Sequence, residues 1–95
     1  MNTIYFICAP QLGKLKLGWS DNFPQRLRQL RAGCPCELTV LTTIVGTEDQ
    51  EKAMQQELDW CRDHHEWYFD SPLLRQWIDE KVAAFRNTQG EEKHE

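Results

Sequence analysis

Residues 14–30, "KLKLGWSDNFPQRLRQL", contain the strand-to-helix junction that decides how this chain folds. The segment begins with Lys and Leu in alternation, which is typical of a β-strand with one polar face. Residues 20–22 (Ser-Asp-Asn) offer helix N-caps, and Pro24 suits a first helical turn. Apolar residues then recur at helical spacing, at Phe23, Leu27 and Leu30. The stretch therefore predicts a strand over 14–19 and an amphipathic helix that ends at Gly33.

A β-branched and aromatic segment precedes this junction and predicts its pairing partner. Residues 3–8 (TIYFIC) are typical of a buried strand, and Pro10 and Gly13 mark the turn that follows. Two strands joined by a short loop form an antiparallel hairpin. Residues 38–45 (LTVLTTIV) predict a third strand.

Two more helices are predicted in the second half of the chain. Residues 47–50 (TEDQ) form a capping-box pattern that opens the first of them, with an apolar face at Met54, Leu58 and Cys61. Ser71 and Pro72 open the last helix, whose apolar stripe contains Leu74, Trp77, Ile78, Val82 and Phe85. Between them, residues 66–69 (EWYF) form at most a partial strand, with Glu66 in a structural role.

The predicted fold class is α+β, or mixed α/β. A three-stranded central sheet, made from the N-terminal hairpin and the third strand, is flanked by three helices. The length of 95 residues fits one domain. We expect this domain to cover residues 1–86, and we expect the polar residues 87–95 to form a disordered tail.

Charge is distributed unevenly along the chain, whose formal net charge is −4. Residues 1–36 contain five basic residues and one acidic residue, a net charge of +4, so residues 37–95 carry −8. The overall acidity argues against non-specific binding to nucleic acid, whereas the basic third predicts an anionic partner. Contacts are made by local patches, so the basic third is the more informative part.

The sequence also predicts where the protein is found and the state of its cysteines. No stretch approaches the roughly 20 apolar residues that a membrane span needs, so we expect a cytoplasmic protein with no membrane partner. In a reducing cytosol the four cysteines are expected to be thiols. One alternative is a zinc-stabilised interaction domain, since Cys34, Cys36, Cys61, His64 and His65 contain enough soft ligands for tetrahedral zinc. The spacing of these residues departs from that of common zinc motifs.

Several short motifs in order resemble those of the GIY-YIG nuclease superfamily, in its short phage-type branch. They are Ile4-Tyr5-Phe6, Lys16-Leu17-Gly18, Arg26, Glu51 and Glu66-Trp67-Tyr68. The likeness covers roughly residues 3–85. Three positions depart from the family pattern: Lys16 replaces a second tyrosine, Gln55 a histidine, and His65 a glycine.

The resemblance implies a catalytic set and a cofactor. Tyr5 would position the attacking water, Arg26 and Lys16 would stabilise the phosphate, and Glu51 would hold one Mg²⁺ or Mn²⁺ ion. DNA is the implied partner, with phosphate contacts from Lys14, Arg28 and Arg31. A protein partner that supplies sequence specificity is also expected, and the oligomeric state is open.

Two hypotheses for the function remain open at this point. The first is a GIY-YIG-like DNA endonuclease domain that hydrolyses phosphodiester bonds with one divalent metal ion. The second is a catalytically inactive module of the same fold that binds nucleic acid or protein. In the second case the chain would be a phage or mobile-element protein that acts on a host system.

Overall fold

The first two strands form the antiparallel hairpin that the sequence predicts. This computed structural model describes the backbone of residues 1–94 and the side chains of residues 1–87. Strand β1 (Thr3–Ala9) pairs with β2 (Lys14–Ser20) in a register that sets Tyr5 opposite Gly18. Gly13 lies in the connecting turn with a φ of +64°, a conformation that glycine adopts without a steric penalty.

The sheet has five antiparallel strands, so the prediction of a three-stranded sheet was wrong. Strand β3 (Thr39–Val45) pairs with the free side of β1, and β4 (Arg62–His64) and β5 (Trp67–Phe69) extend the sheet beyond β2. The strand order is β3-β1-β2-β5-β4. Strands β4 and β5 have three residues each, which is too short for an alternating hydrophobic pattern to be recognised.

Three helices accompany the sheet, and the α+β class is confirmed. They are α1 (Phe23–Gly33), α2 (Glu48–Glu57) and α3 (Pro72–His94). Cys61 lies on a separate 3₁₀ turn, Asp59–Cys61, and not on α2 as the sequence predicted. The predicted tail at 87–95 lies almost wholly beyond the described side chains, so the division into a domain and a tail stays a prediction. Among the described helices, none has both the length and the apolar character that crossing a membrane requires.

Alternating residues of β1 belong to two cores on opposite faces of the sheet. Ile4, Phe6 and Cys8 pack in the larger core with residues of α2 and α3. Tyr5, Ile7 and Ala9 pack in the smaller core, beneath α1. Helix α1 has no fully buried residue, and its apolar stripe is only half-buried against the sheet. The α1 face of the sheet is therefore the less completely covered one.

The turn between β4 and β5 places a strained residue at His65. Its φ of +53° lies in the left-handed region, which costs a non-glycine residue about 1 kcal/mol. Arg62 donates a hydrogen bond to the backbone carbonyl of His65 (3.0 Å), and any residue at this position keeps that contact. We expect His65→Gly to exceed His65→Ala in free energy of unfolding by about 0.5–1 kcal/mol in urea titrations. Equal stability of the two variants would contradict the inference that the backbone at residue 65 is strained.

Candidate active site

Tyr5 is fixed between a glycine on the neighbouring strand and an aromatic ring on α1. Its phenol crosses directly over Gly18, where an added Cβ atom would lie 2.3 Å from the Tyr5 hydroxyl oxygen. The Tyr5 ring also stacks on Phe23, with 5.1 Å between ring centroids. The glycine of the Lys-Leu-Gly motif is thus required by the close approach of the tyrosine.

Helix N-caps place Arg26 and Glu51 at equivalent positions of their helices. Asn22 caps α1, and its carbonyl accepts a hydrogen bond from the Arg26 backbone N–H at 3.1 Å. Thr47 caps α2 in a capping box with Gln50, and its carbonyl accepts the Glu51 backbone N–H at 3.1 Å. Each of these two residues therefore lies four positions after the N-cap of its helix.

Arg26 and Glu51 line one surface cavity of about 310 Å³. The same cavity is lined by five further residues: Trp19, Glu48, Lys52, Gln55 and Glu66. Its ionisable groups are three carboxylates and two cations. The structure therefore brings together the arginine and the glutamate that the sequence predicted as site residues.

The Glu51 carboxyl group is buried, with 5% of its surface exposed. It accepts a short hydrogen bond of 2.6 Å from the amide nitrogen of Gln55, one helical turn later. The pKa of Glu51 is raised to about 7, mainly by burial and then by Glu66 and Glu48, whereas the Gln55 hydrogen bond and Lys52 oppose the rise. Within residues 1–87, no basic side chain forms an ion pair with Glu51. Glu51 is therefore a desolvated carboxyl group with no ion-pair partner among these residues, although the charge of Lys52 stabilises its ionised form in part.

The Tyr5 hydroxyl lies within electrostatic reach of the cavity. The pKa of Tyr5 is raised to about 12, mainly by burial and also by Glu66 and Glu51, whereas Arg26 opposes the rise. The phenol is therefore protonated at neutral pH. A protonated phenol can donate a hydrogen bond.

Lys16 is bound to a carboxylate that the sequence placed in a structural role. Its ammonium group lies 3.0 Å from the Glu66 carboxylate and 5.2 Å from the centroid of the Trp67 ring. The Leu17 backbone N–H donates to the Glu66 carbonyl at 3.2 Å, which fixes Glu66 beside β2. Sequence reasoning missed Glu66 as a site residue, because only the pairing of β5 with β2 brings it to the cavity.

The other basic residues predicted to bind DNA lie outside this cavity. Lys14 forms an ion pair with Asp63 on β4. Arg31 donates to the backbone carbonyl of Leu38 at 3.3 Å. Arg28 is exposed and follows Arg26 by two residues, so it points about 200° away around the helix. Contact of these three residues with DNA stays a prediction.

Among residues 1–87, no group of three or more His, Cys, Asp or Glu residues is arranged to hold a metal ion. Cys34 packs on the smaller core and Cys61 in the larger one, on opposite faces of the sheet, so the structure does not bring the candidate zinc ligands together. The Mg²⁺ or Mn²⁺ ion that the resemblance implies would depend on Glu51, and its binding stays a prediction.

Comparison with known proteins gives one informative match. A profile of the T5orf172 domain matches residues 2–86, nearly the whole chain, whereas neither curated proteins nor solved structures gave a match. This phage-associated domain falls within the GIY-YIG/HNH-like endonuclease clade and indicates a nuclease-like or DNA-binding module, whereas membership of the GIY-YIG superfamily itself stays a prediction. From this match and the fold, the chain belongs to the T5orf172 domain family.

Proposed function

We propose that this chain is a GIY-YIG-type DNA endonuclease that hydrolyses phosphodiester bonds with one bound divalent cation. The observation that carries the proposal is the shared cavity of Arg26 and the buried Glu51, next to the protonated hydroxyl of Tyr5. The three groups come from three separate elements, α1, α2 and β1. Tyr5 also packs in the smaller core, whereas Arg26 is exposed and belongs to neither core.

Arg26 is the group that would bind the phosphate. Its side chain is exposed at the cavity, and within residues 1–87 it forms no ion pair. A planar guanidinium binds two phosphoryl oxygens at once and stabilises the charge that builds on them during hydrolysis.

Glu51 is the group that would hold Mg²⁺ or Mn²⁺. When bound, the ion supplies a Lewis acid that neutralises charge on the leaving oxygen. The Gln55 hydrogen bond fixes the orientation of the Glu51 carboxylate, as second-layer partners commonly do at metal sites. The raised pKa of Glu51 is consistent with a site whose charge a cation would compensate.

Tyr5 and Lys16 would complete the site in supporting roles. The Tyr5 hydroxyl donates a hydrogen bond and so orients the attacking water. Lys16 holds Glu66 at the cavity and adds positive charge near the phosphate.

A specific observation also favours the second hypothesis, an inactive binding module. The cavity contains more carboxylates than cations, and the lysine at the usual tyrosine position is already paired with Glu66. Without a bound cation, such a cavity repels a phosphate. The two hypotheses therefore differ in whether a divalent ion makes the chain cleave DNA.

Two arginines of α1 provide a matched test of the proposal. Arg26 lines the cavity, whereas Arg28 has the same charge and points away from it. We expect Arg26→Ala to lower the rate of nicking of supercoiled DNA in Mg²⁺ or Mn²⁺ by about 100-fold, the typical effect of losing one charge-stabilising donor. Arg28→Ala is expected to change the rate by less than about threefold, as weak surface charges do.

The same assay separates the proposal from its alternative. Nicking that survives both Arg26→Ala and Glu51→Gln would place the activity elsewhere or in a contaminant. If the wild-type protein binds DNA but nicks neither supercoiled nor single-stranded DNA with either ion, the inactive module is the correct description.

A further inference from the structure

A second and larger cavity, of about 480 Å³, lies between the C-terminal half of α1 and the sheet. Its walls are mostly apolar and include Leu30, Pro35, Leu38 and Trp67. None of these residues lines the candidate active site. The cavity exists because α1 rests on the sheet with no fully buried residue.

Helix α1 and strand β2 connect this cavity to the candidate active site. Leu30 follows Arg26 by four residues, on the same face of α1, and Gly33 follows by seven, so the helix leads from one cavity to the other over about 10 Å. On the sheet, Lys16 lines the second cavity and forms its ion pair with Glu66, which lines the first. The two cavities are therefore neighbours along one surface.

The chemistry of the second cavity matches one nucleotide. Trp67 provides an aromatic ring, and the Lys16 ammonium lies over it at 5.2 Å. Lys14 is a second cation of the lining, and its ammonium group is paired with Asp63, which lines the same cavity. Aromatic rings on which bases stack, together with cations along the backbone, are what binding of single-stranded nucleic acid uses. A base paired within a duplex is stacked and cannot enter such a cavity without leaving the helix.

We infer that this cavity receives an unpaired nucleotide of the DNA strand whose phosphate lies at Arg26 and Glu51. The inference rests on the proposed function and adds the class of substrate. The preferred DNA has an unpaired nucleotide close to the scissile phosphate, as in single strands, gaps and flaps. Fully paired duplex is the poorer substrate.

Cys34 gives a readout of the cavity that does not depend on cleavage. It lines the cavity and is half-buried, whereas Cys8 and Cys61 are fully buried. In a Cys36→Ser/Glu51→Gln protein, the alkylation of Cys34 by iodoacetamide can be followed by mass spectrometry while DNA stays intact. We expect a short single-stranded oligonucleotide to slow this alkylation about tenfold, the order that one stacked base provides. A blunt duplex of the same sequence and free deoxyadenosine monophosphate are expected to give little protection at equal nucleotide concentration.

The ring of Trp67 gives a second test with matched controls. In the Glu51→Gln protein, Trp67→Leu is expected to weaken binding of a fluorescein-labelled single strand about tenfold and to leave blunt-duplex binding unchanged. Trp67→Phe keeps an aromatic face and is expected to retain most of the affinity. Trp60→Leu removes an indole that is 55% exposed on the 3₁₀ turn, and no effect is expected.

Each outcome supports or overturns the inference. Equal protection of Cys34 by blunt duplex or by free nucleotide would overturn it, and so would an equal loss of single-strand and duplex binding in Trp67→Leu. If the wild-type protein nicks DNA and Cys34 is not protected, the inference that the cavity receives a nucleotide is wrong, while the proposal of nuclease activity holds. If single strands protect Cys34 and the wild-type protein does not nick DNA, the inference of nucleotide binding in the cavity holds and the proposal of nuclease activity is wrong. Failure to bind any DNA would overturn both.

Discussion

Replacing Glu51 with glutamine is expected to lower nicking about 1000-fold and, in the metal-free protein, to raise stability. The loss of activity follows because an uncharged amide binds Mg²⁺ or Mn²⁺ far more weakly than a carboxylate does. The gain in stability follows because the buried carboxylate is desolvated and lies near Glu66, and the neutral amide removes both costs. The Gln55 hydrogen bond can still be accepted by the new side-chain oxygen.

The pH dependence of this effect has a definite sign. The pKa of Glu51 is raised from 4.5 to about 7 in the folded protein. Below about pH 4.5 both folded and unfolded chains hold the proton, so ionisation has no effect on stability. Between pH 4.5 and 7 the unfolded chain releases its proton first, and the free energy of unfolding of the wild type falls by about 2–3 kcal/mol. The free energy of unfolding of Glu51→Gln is therefore expected to be higher than that of the wild type by about this amount at pH 8 and equal to it at pH 4.

Urea unfolding in EDTA at the two pH values measures this difference. Glu48→Gln is the matched control, because Glu48 lies on the same helix at the same cavity with its side chain 50% exposed. We expect its effect to be below about 0.5 kcal/mol, as for most surface substitutions. If Glu51→Gln were less stable than the wild type at pH 8, this would contradict the inference that the ionised Glu51 carboxylate is desolvated and destabilising.

Gly18→Ala is expected to destabilise the protein by about 3 kcal/mol and to lower nicking about 100-fold, on the scale of overpacking and of a lost positioning group. The new Cβ atom would lie 2.3 Å from the Tyr5 hydroxyl oxygen and 2.4 Å from the ring carbon that carries it. Tyr5 is 2% exposed and stacked on Phe23, so its ring has little room to move aside. Either the β1–β2 pairing or the position of the tyrosine must change.

Two further variants identify the cause of that loss. Gly33→Ala adds the same methyl group at a position where no atom lies within 4 Å, and we expect a change below about 0.5 kcal/mol. Tyr5→Leu removes the atoms that the new methyl meets, so Gly18→Ala is expected to cost much less in that background. If Gly18→Ala and Gly33→Ala are equally stable, the close approach of Tyr5 to Gly18 does not contribute to stability.

The local parts of the fold were predictable from the sequence, and the long-range parts were not. The alternation over 14–19 and the cap and stripe that follow are signals within one short segment, so the hairpin and α1 were recognised. Strand β4 carries no such signal, and residues 66–69 indicated only a partial strand where β5 lies, since three residues cannot show a period. Strand β5 forms by pairing with the edge of β2, and β4 in turn pairs with β5.

In the candidate site, too, the features set by local sequence were predictable and those set by long-range contacts were not. The pairing of Arg26 with Glu51 in one cavity was expected from the family resemblance, and the caps that position both residues are visible in the sequence. The burial of Glu51 was not predicted, because a glutamate in a first helical turn is usually exposed and favoured by the helix dipole. Glu66 and its pairing with Lys16 depend on a contact between residues far apart in sequence.

The pairing of β2 with β5 has a consequence for the order of events during synthesis. Lys16 and Trp67 are neighbours across about 50 residues of chain, and closing a loop of this length delays folding relative to the local hairpin and helices. Tyr5, Arg26 and Glu51 all leave the ribosome before β5 does. The first half of the chain therefore emerges without β5, so Glu66 reaches the cavity only after that strand has paired with β2.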